Sequence, residues 1–386
     1  MVRQSFGIVV LFGFLCSGSS CLKLDTGLDL PSLLSLVSSR TAIAFFNDAS
    51  GDGQARSLLR INSSDNLERI DWTAGPAQIR DAAIVNGVIV AADTSNSDDF
   101  WISRDGGRNW SSVDLPSGNE SQGIFYVLEC GNAVVVTQAN IAYDGTGSRP
   151  GYISRDNGAT WTEFRAGIGP SSTGTGDIGV RGIACNADNI YIASSGATNR
   201  IQYASLSNLS SWTGAPNAGV SYLDYTDLTA TSTGFAGLAQ DDGNAAQCGL
   251  NYSTNGGASV TESGFMPNLA ACNGGLRSGS PNGNERIIIA EPDTLSDVCR
   301  VYTKSSLASA PTTPEAFSYD CSDVVNLGDM PGILYGFQGI FVSYVDASRT
   351  ATGLLYSSDG GQSFQKLNIG TVWSDSGYII DIEESP

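Results

Sequence analysis

The sequence of 386 residues contains no histidine. This absence excludes Ser-His-Asp and Cys-His hydrolases, in which a histidine moves the proton, and it removes the commonest metal ligand. The cysteines show no Cys-x-x-Cys spacing, which argues against a zinc site. A Gly-rich phosphate loop and a dinucleotide fingerprint are also missing. We therefore expect no cofactor and no metal ion.

Positive charge is scarce, with 20 Lys and Arg residues against 39 Asp and Glu residues, which gives a net charge of −19. Nucleic-acid phosphates would be repelled by such a surface, as would anionic lipid headgroups. The composition thus indicates no nucleic-acid partner and no attachment to a membrane by charge.

Long apolar runs are missing except near the start, where Arg3 precedes the apolar stretch Phe6–Leu15 and small residues follow at Gly18–Ser20. This order is typical of a secretory signal peptide, here residues 1–20, and the stretch is too short to span a membrane. The cut before Cys21 resembles that of a bacterial lipoprotein, although Gly18 stands where that pattern has Leu. We expect an exported lipoprotein at the outer membrane, cell surface or periplasmic face, with residues 21–40 as a tether; simple secretion is the alternative.

The number of cysteines bears on lipidation at Cys21. Cys16 leaves with the signal peptide, so lipidation of Cys21 would leave six cysteines that can all pair; without lipidation one is odd. Six cysteines allow 15 connectivities, and the sequence does not fix one. We predict that neighbours in the sequence pair: Cys130–Cys185, Cys248–Cys272 and Cys299–Cys321.

Three short segments share the pattern S-x-D-x-G-x-x-aromatic, and Ser253–Val260 is a weakened copy with Asn in place of Asp and Val in place of the aromatic. The four copies recur at intervals of about 51 residues or twice that. Ser and Asp side chains can bond the amides of a tight turn, Gly accepts a positive φ, and the aromatic can pack between sheets. We interpret these residues as structural and predict no catalytic residue among them. A further segment, Ser205–Trp212, keeps the first Ser and the Trp only. The four copies comprise Ser103, Asp105, Gly107, Trp110, Ser154, Asp156, Gly158, Trp161, Ser253, Asn255, Gly257, Ser357, Asp359, Gly361 and Phe364.

Around each copy the chain shows four short apolar segments separated by turn residues, without helical periodicity. Repeats of this kind predict an all-β propeller with four-stranded blades. The segment from Thr41 to Trp72 supplies only three strands, and Tyr378–Ile382 resembles the missing first strand. We predict a domain over residues 41–386 with seven blades, closed into a ring by the C-terminal strand; six or eight blades remain possible.

The pattern S-x-D-x-G-x-x-W resembles the Asp-box, or BNR, repeat of sialidases, some glucan hydrolases, sortilin-type receptors and a photosystem assembly factor. The resemblance implies a propeller from about Thr41 onward, with the boxes on the outside and away from the mouth. It does not imply one activity, because these families differ in function.

Three alternatives involve chemistry, the first two suggested by the resemblance and the third by the residues themselves. An exo-α-sialidase needs an Arg triad, a Tyr nucleophile paired with a Glu, and an Asp acid, and its first Arg lies in Arg-Ile-Pro; here Arg60-Ile61-Asn62 lacks the Pro and falls on a third strand. Arg80, Arg181 and Arg277 lie on or near first strands instead. A glucanase-like site would use two carboxylates that face each other across the mouth. The candidate carboxylates are Asp81, Asp177, Asp224 and Asp227.

Calcium could bind at Asp48–Gly53, although Leu59 stands where an EF-hand has Glu.

The function that these features favour is binding. Loops at one face of a rigid ring commonly carry recognition. We expect a monomeric module that binds a glycan or an extracellular or envelope protein. A sialidase-like glycoside hydrolase and an envelope assembly scaffold are the alternatives.

Overall fold

The computed structural model describes the chain in segments between Thr41 and Ser385. These segments belong to one structural unit, Thr41–Pro386. The predicted signal peptide, the tether, Cys21 and the loop Asp48–Gly53 lie outside the described residues. The described residues are 41–47, 56–63, 66–77, 79–93, 99–114, 124–138, 150–165, 180–194, 201–216, 222–241, 244–265, 275–279, 286–293, 298–304, 315–320, 333–336, 339–345, 352–360, 363–369 and 378–385.

The regular elements of these segments are β-strands, as the all-β prediction requires. Among the described residues no helix has the length and hydropathy needed to cross a membrane. In chain order the strands are β1 Thr41–Asn47, β2 Ser57–Ser63, β3 Asn66–Asp71, β4 Ile79–Val85, β5 Val88–Asp93, β6 Asp99–Ser103, β7 Ser111–Asp114, β8 Ile124–Cys130, β9 Ala133–Gln138, β10 Pro150–Ser154, β11 Thr162–Arg165, β12 Val180–Cys185, β13 Asn189–Ser194, β14 Ile201–Ser205, β15 Asn208–Gly214, β16 Tyr222–Thr231, β17 Gly234–Asp241, β18 Asn244–Ser253, β19 Thr261–Phe265, β20 Gly275–Gly279, β21 Arg286–Asp293, β22 Val298–Lys304, β23 Glu315–Asp320, β24 Ile333–Gly336, β25 Gly339–Val345, β26 Thr352–Ser357, β27 Gln365–Leu367 and β28 Tyr378–Ser385.

Within the described residues the strands form seven four-stranded antiparallel sheets. The arrangement is that of a β-propeller with four-stranded blades. Six of them are built from four consecutive strands, from β4–β7 through to β24–β27. The remaining sheet has the order β28-β1-β2-β3, so the last strand completes the sheet that the first three begin. In that pair Ala44 lies opposite Ile382 and Thr41 opposite Ser385.

The hydrophobic core lies between the sheets. Strands in the middle of a sheet are apolar on both faces because a neighbouring sheet covers each face; every residue of β5 is buried. One cluster joins Phe100 and Ile102 of the β4–β7 sheet to Val127 and Val136 of the next sheet. Outer strands alternate instead, and in β11 only Phe164 is buried.

A covalent bond joins two neighbouring sheets. Cys130, at the end of β8, forms a disulfide with Cys185, at the end of β12, with the Cα atoms 5.2 Å apart. This is the first of the predicted pairs. Cys248 is also disulfide-bonded. Its predicted partner Cys272 lies outside the described residues, and so does Cys321.

Candidate functional site

The first Asp box, residues 103–110, is a tight turn held by its own side chains. The buried Ser103 Oγ accepts a hydrogen bond from the amide of Gly107 (2.8 Å) and donates one to Asp105 Oδ1 (2.9 Å). Asp105 Oδ1 also accepts from the amide of Asn109 (2.9 Å). Gly106 and Gly107 both have positive φ. Ser103 and Asp105 therefore stabilise the turn by hydrogen bonds, and Gly107 supplies its positive φ.

The other boxes repeat this arrangement with small variations. Asp156 accepts from the amide (2.8 Å) and the hydroxyl (2.6 Å) of Thr160. Asp359 accepts from Ser363 in the same way, although Gly361 lies outside the described residues. In the third box Asn255 Oδ1 accepts from the amide of Ser259, and Asn255 Nδ2 donates to the Ser259 hydroxyl (both 2.9 Å).

These hydrogen bonds stabilise the ionised form of the box carboxylates. The bond from the Asn109 amide is the largest cause that lowers the pKa of Asp105. The Thr160 hydroxyl and amide lower the pKa of Asp156 to about 2. A general acid needs a pKa near the working pH. Asp105 and Asp156 are therefore suited to bonding the turn and unsuited to donating protons.

In the three boxes where it is described, the glycine in the fifth position packs against the preceding sheet. A Cβ atom on Gly107 would lie 2.4 Å from Leu58 Cδ2, and one on Gly158 would lie 2.5 Å from Ile102 Cδ1. The aromatic in the eighth position packs on the same neighbour. Trp110 lies 5.2 Å from Trp72, between ring centroids. The box thus fastens its sheet to the one before it.

The candidate carboxylates of the inner strands also bond backbone amides. Asp81, which follows a bulge in β4, accepts from the amide of Val127 in the next sheet (2.7 Å). Asp227, after a bulge in β16, accepts from the amide of Leu276 in the next sheet (2.7 Å). Both carboxylates thus connect neighbouring blades, which argues against a facing glucanase pair. Asp177 and the side chain of Asp224 lie outside the described part of the chain.

The candidate arginines have different environments. Arg60 lies in β2, the third strand of its sheet, and bonds Glu68 (3.4 Å) and the Gly106 carbonyl (3.5 Å). This structural position agrees with the departure of its segment from the sialidase motif. Arg80 and Arg181 occupy the bulges of β4 and β12, and Arg277 lies in β20. The side chains of Arg181 and Arg277 are not described, so the sialidase alternative stays untested at these positions.

Three of the seven sheets carry no box: β12–β15, β20–β23 and the sheet that contains β1–β3. The sheet β12–β15 is called the box-less sheet below. Ser205 pairs directly with Asn208 across a two-residue turn, and Leu209 replaces the glycine. The Trp212 indole still donates to the carbonyl of Leu209 (2.9 Å), as the Trp110 indole does to Gly107 (2.9 Å). The tryptophan is therefore kept although the carboxylate and the glycine are gone.

A groove of about 650 Å³ lies between β11 and the box-less turn. Its lining includes Arg155, the residues 162–165 of β11 and the residues 206–210. The Arg155 guanidinium donates to the carbonyl of Leu206. Arg165 forms an ion pair with Glu163 (2.9 Å). We take this groove as the candidate site. Sequence reasoning missed it, and the available signal was the loss of the box consensus at positions 207 and 209.

The described residues contain no group of three or more Cys, Asp or Glu side chains that could hold a metal ion. The structure leaves the candidate calcium loop untested, since that loop is not described.

Comparison with known proteins supports the repeat and the fold. The model of the BNR/Asp-box repeat matches residues 152–163. No curated protein matches the chain. Among solved structures, "YCF48 bound to D1 peptide" superposes with a TM-score of 0.52 at 11% identity, covering 78% of this chain and 86% of that one. A putative 6-phosphogluconolactonase from Bacteroides uniformis and apo AztD from Citrobacter koseri each reach a TM-score of 0.57 at 10% identity, covering 90% of this chain and 100% and 98% of theirs, respectively. At these identities the likeness concerns the fold alone.

Proposed function

We propose that this protein is an exported, lipid-anchored propeller that binds a protein partner in the cell envelope or outside the cell. The proposal rests on a contrast between carboxylates that already bond backbone amides and an exposed arginine that can bind a ligand. The described box and inner-strand carboxylates bond backbone amides, whereas the groove beside the box-less sheet presents an exposed arginine over apolar side chains. This arrangement favours recognition over carboxylate catalysis.

The proposal includes a closed ring of seven blades. Contacts between the first strands of the sheets support it: β28 contacts β4, β4 contacts β8, and the series continues through β12, β16, β20 and β24 to β28 again. A ring of this kind leaves no innermost strand without neighbours on both sides, which gives loops and grooves a rigid support.

The fold of a similar structure adds a specific reason to favour a protein ligand. YCF48 was solved with a D1 peptide and superposes on this chain over most of both lengths. A propeller of similar architecture can therefore present a peptide-binding surface. The glycan ligand that the sequence also suggested stays a prediction.

The test uses residues 22–386 purified without lipid and applied to an array of extracellular-matrix and envelope proteins together with sialylated and neutral glycans. We expect retention on one or more proteins with every sugar intact. Loss of terminal sialic acid, abolished by Arg80→Ala, would overturn the proposal in favour of an enzyme. Retention on no protein would contradict it as well.

The lipid anchor needs a separate measurement on the full chain expressed in a bacterium. We expect the wild-type protein in the detergent-rich phase after phase partitioning and the Cys21→Ala variant in the aqueous phase. Equal partitioning of the two into the aqueous phase would exclude lipidation at Cys21 and favour simple secretion.

A further inference from the structure

The groove between β11 and the box-less sheet has a shape and a charge that define its ligand more closely. We propose that it binds an extended peptide segment of the partner, which pairs with the free edge of β11 and places a carboxylate against Arg155. This inference rests on the proposed binding function and gives it a site and a ligand chemistry.

β11 is an edge strand that lines the groove. β11 is the last strand of its sheet and, among the described strands, pairs with β10 alone. A terminal strand presents unpaired N–H and C=O groups along its outer edge. All four residues of β11 line the groove. Because side chains alternate between the two faces of a strand, a groove lined by four consecutive residues contacts backbone as well as side-chain atoms of β11.

The groove has room for peptide side chains on an apolar floor. Its volume of about 650 Å³ lies within the range of roughly 300–1,000 Å³ that is usual for ligand pockets. Phe164 and Leu206 are 6% exposed, and both belong to the cluster between the two sheets. Leu209 packs partly buried against the same cluster. An apolar side chain of a bound strand would cover these residues.

Arg155 supplies the charge in this groove. Its side chain is exposed, and within the described residues its guanidinium makes one hydrogen bond, to the carbonyl of Leu206. A guanidinium has five N–H donors, and two of them can bind a carboxylate side by side. The charge of Arg165 is already opposed by Glu163. A single carboxylate on the ligand would therefore complement Arg155.

The charge of the whole chain limits the number of acidic residues on the ligand. The net charge is −19, so a strongly acidic partner would be repelled at a distance. One carboxylate in an otherwise neutral strand avoids most of this repulsion and keeps the local pairing. The ligand class is thus an extended, mostly uncharged segment with one Asp or Glu.

A double-mutant cycle tests the pairing. The probe is a fluorescein-labelled octapeptide of alternating threonine and valine with one central aspartate, and its match carries asparagine instead. By fluorescence anisotropy we expect the wild type to bind the aspartate peptide at least about tenfold more tightly, as a charge-assisted hydrogen bond would give. This preference should disappear in Arg155→Gln.

Arg104→Gln is the matched control, because Arg104 is exposed and occupies the same box position in the preceding sheet without lining the groove. It should keep the full preference. An equal loss of preference in both variants, or no binding of the aspartate peptide at about 1 mM, would overturn the assignment.

A third peptide tests strand pairing. It has the aspartate sequence with N-methylated backbone nitrogens, which cannot donate to an edge strand. We expect it to lose binding, and binding equal to the unmethylated peptide would contradict edge pairing. If wild type and Arg155→Gln were retained equally by the same proteins of the array, the groove would not be the binding site, but the proposed binding function would stand. If the preference for the aspartate peptide depended on Arg155 while no protein of the array retained the wild type, the groove would be supported and the proposed function contradicted.

Discussion

The sheets β4–β7 and β12–β15 attach to their preceding neighbours in different ways. In the first, the box glycine Gly107 brings the turn against Leu58. In the second, Leu209 stands in that position, and a groove opens beside the preceding sheet. The bonds at this junction include the Cys130–Cys185 disulfide and the hydrogen bond from Arg155 to Leu206. The comparison indicates that a blade can lose its box where other bonds hold the junction.

The two sheets show that the residues of the repeat have different roles. The tryptophan position is kept in both sheets, since Trp110 lies against Trp72 and Trp212 against Phe164. The carboxylate and the glycine, which shape the turn, are kept only in the boxed sheet. Burial of the aromatic therefore connects blades in both cases, whereas the close contact of a turn glycine with the preceding sheet is found in the boxed sheet and not in β12–β15.

The largest effect is expected at the disulfide. Replacing both cysteines (Cys130→Ala with Cys185→Ala) should lower the free energy of unfolding by about 2–5 kcal/mol, because the unfolded chain regains the freedom that the cross-link removes. Urea denaturation monitored by tryptophan fluorescence measures this loss. An unchanged midpoint would mean that the box-less junction does not depend on the cross-link.

The next effect concerns close packing in a boxed junction. Gly257→Ala should cost about 2–4 kcal/mol from backbone strain and overpacking together, since φ is +97° and the new Cβ would lie 2.6 Å from Tyr203 Cδ1. Gly87→Ala is the matched control: φ is +78°, but no atom lies within 4 Å of its Cβ. We expect it to cost only about 1–2 kcal/mol, the strain alone. Equal losses in urea denaturation would show that contact with the preceding sheet contributes nothing.

A smaller effect is expected when the box serine is removed. Ser154→Ala should cost about 1–3 kcal/mol, because the amide of Gly158 loses its acceptor in a buried turn. In the box-less sheet, Ser205 Oγ bonds the hydroxyl (2.8 Å) and the amide (3.3 Å) of Ser207, and both groups are exposed to water that can replace the bonds. Ser205→Ala should therefore cost below about 0.5 kcal/mol. The two variants are compared by thermal unfolding, and a larger loss in Ser205→Ala would contradict the contrast between the sheets.

The sequence could predict the repeat and its turns because their chemistry is local. Asp156 and Gly158 lie within five residues of one another, so the pattern reports the turn directly. The sheet that joins the two ends of the chain could also be predicted, because an unpaired apolar segment near each end indicates that one sheet is made from both. The groove could not be predicted from the sequence, since it depends on the distance between β11 and a turn about forty residues later in the chain. The bulges that place Asp81 and Asp227 against the next blade likewise depend on strand register.

The smallest effect tests whether a carboxylate is needed in the box at all, since Asn255 already fills that position in one sheet. The pKa of Asp156 is lowered from 3.8 to about 2, so its contribution to stability is present above pH 4 and is lost as the pH falls toward 2. Asp156→Asn should keep the turn, with the amide group bonding Thr160 as Asn255 bonds Ser259. The difference in urea midpoint between wild type and variant should then shrink from pH 5 to pH 2.

Asn255→Asp is the reciprocal change. Its urea midpoint, relative to that of the wild type, should depend on pH in the same interval. If neither variant alters the pH profile, the box works through hydrogen-bond geometry alone and its charge is incidental.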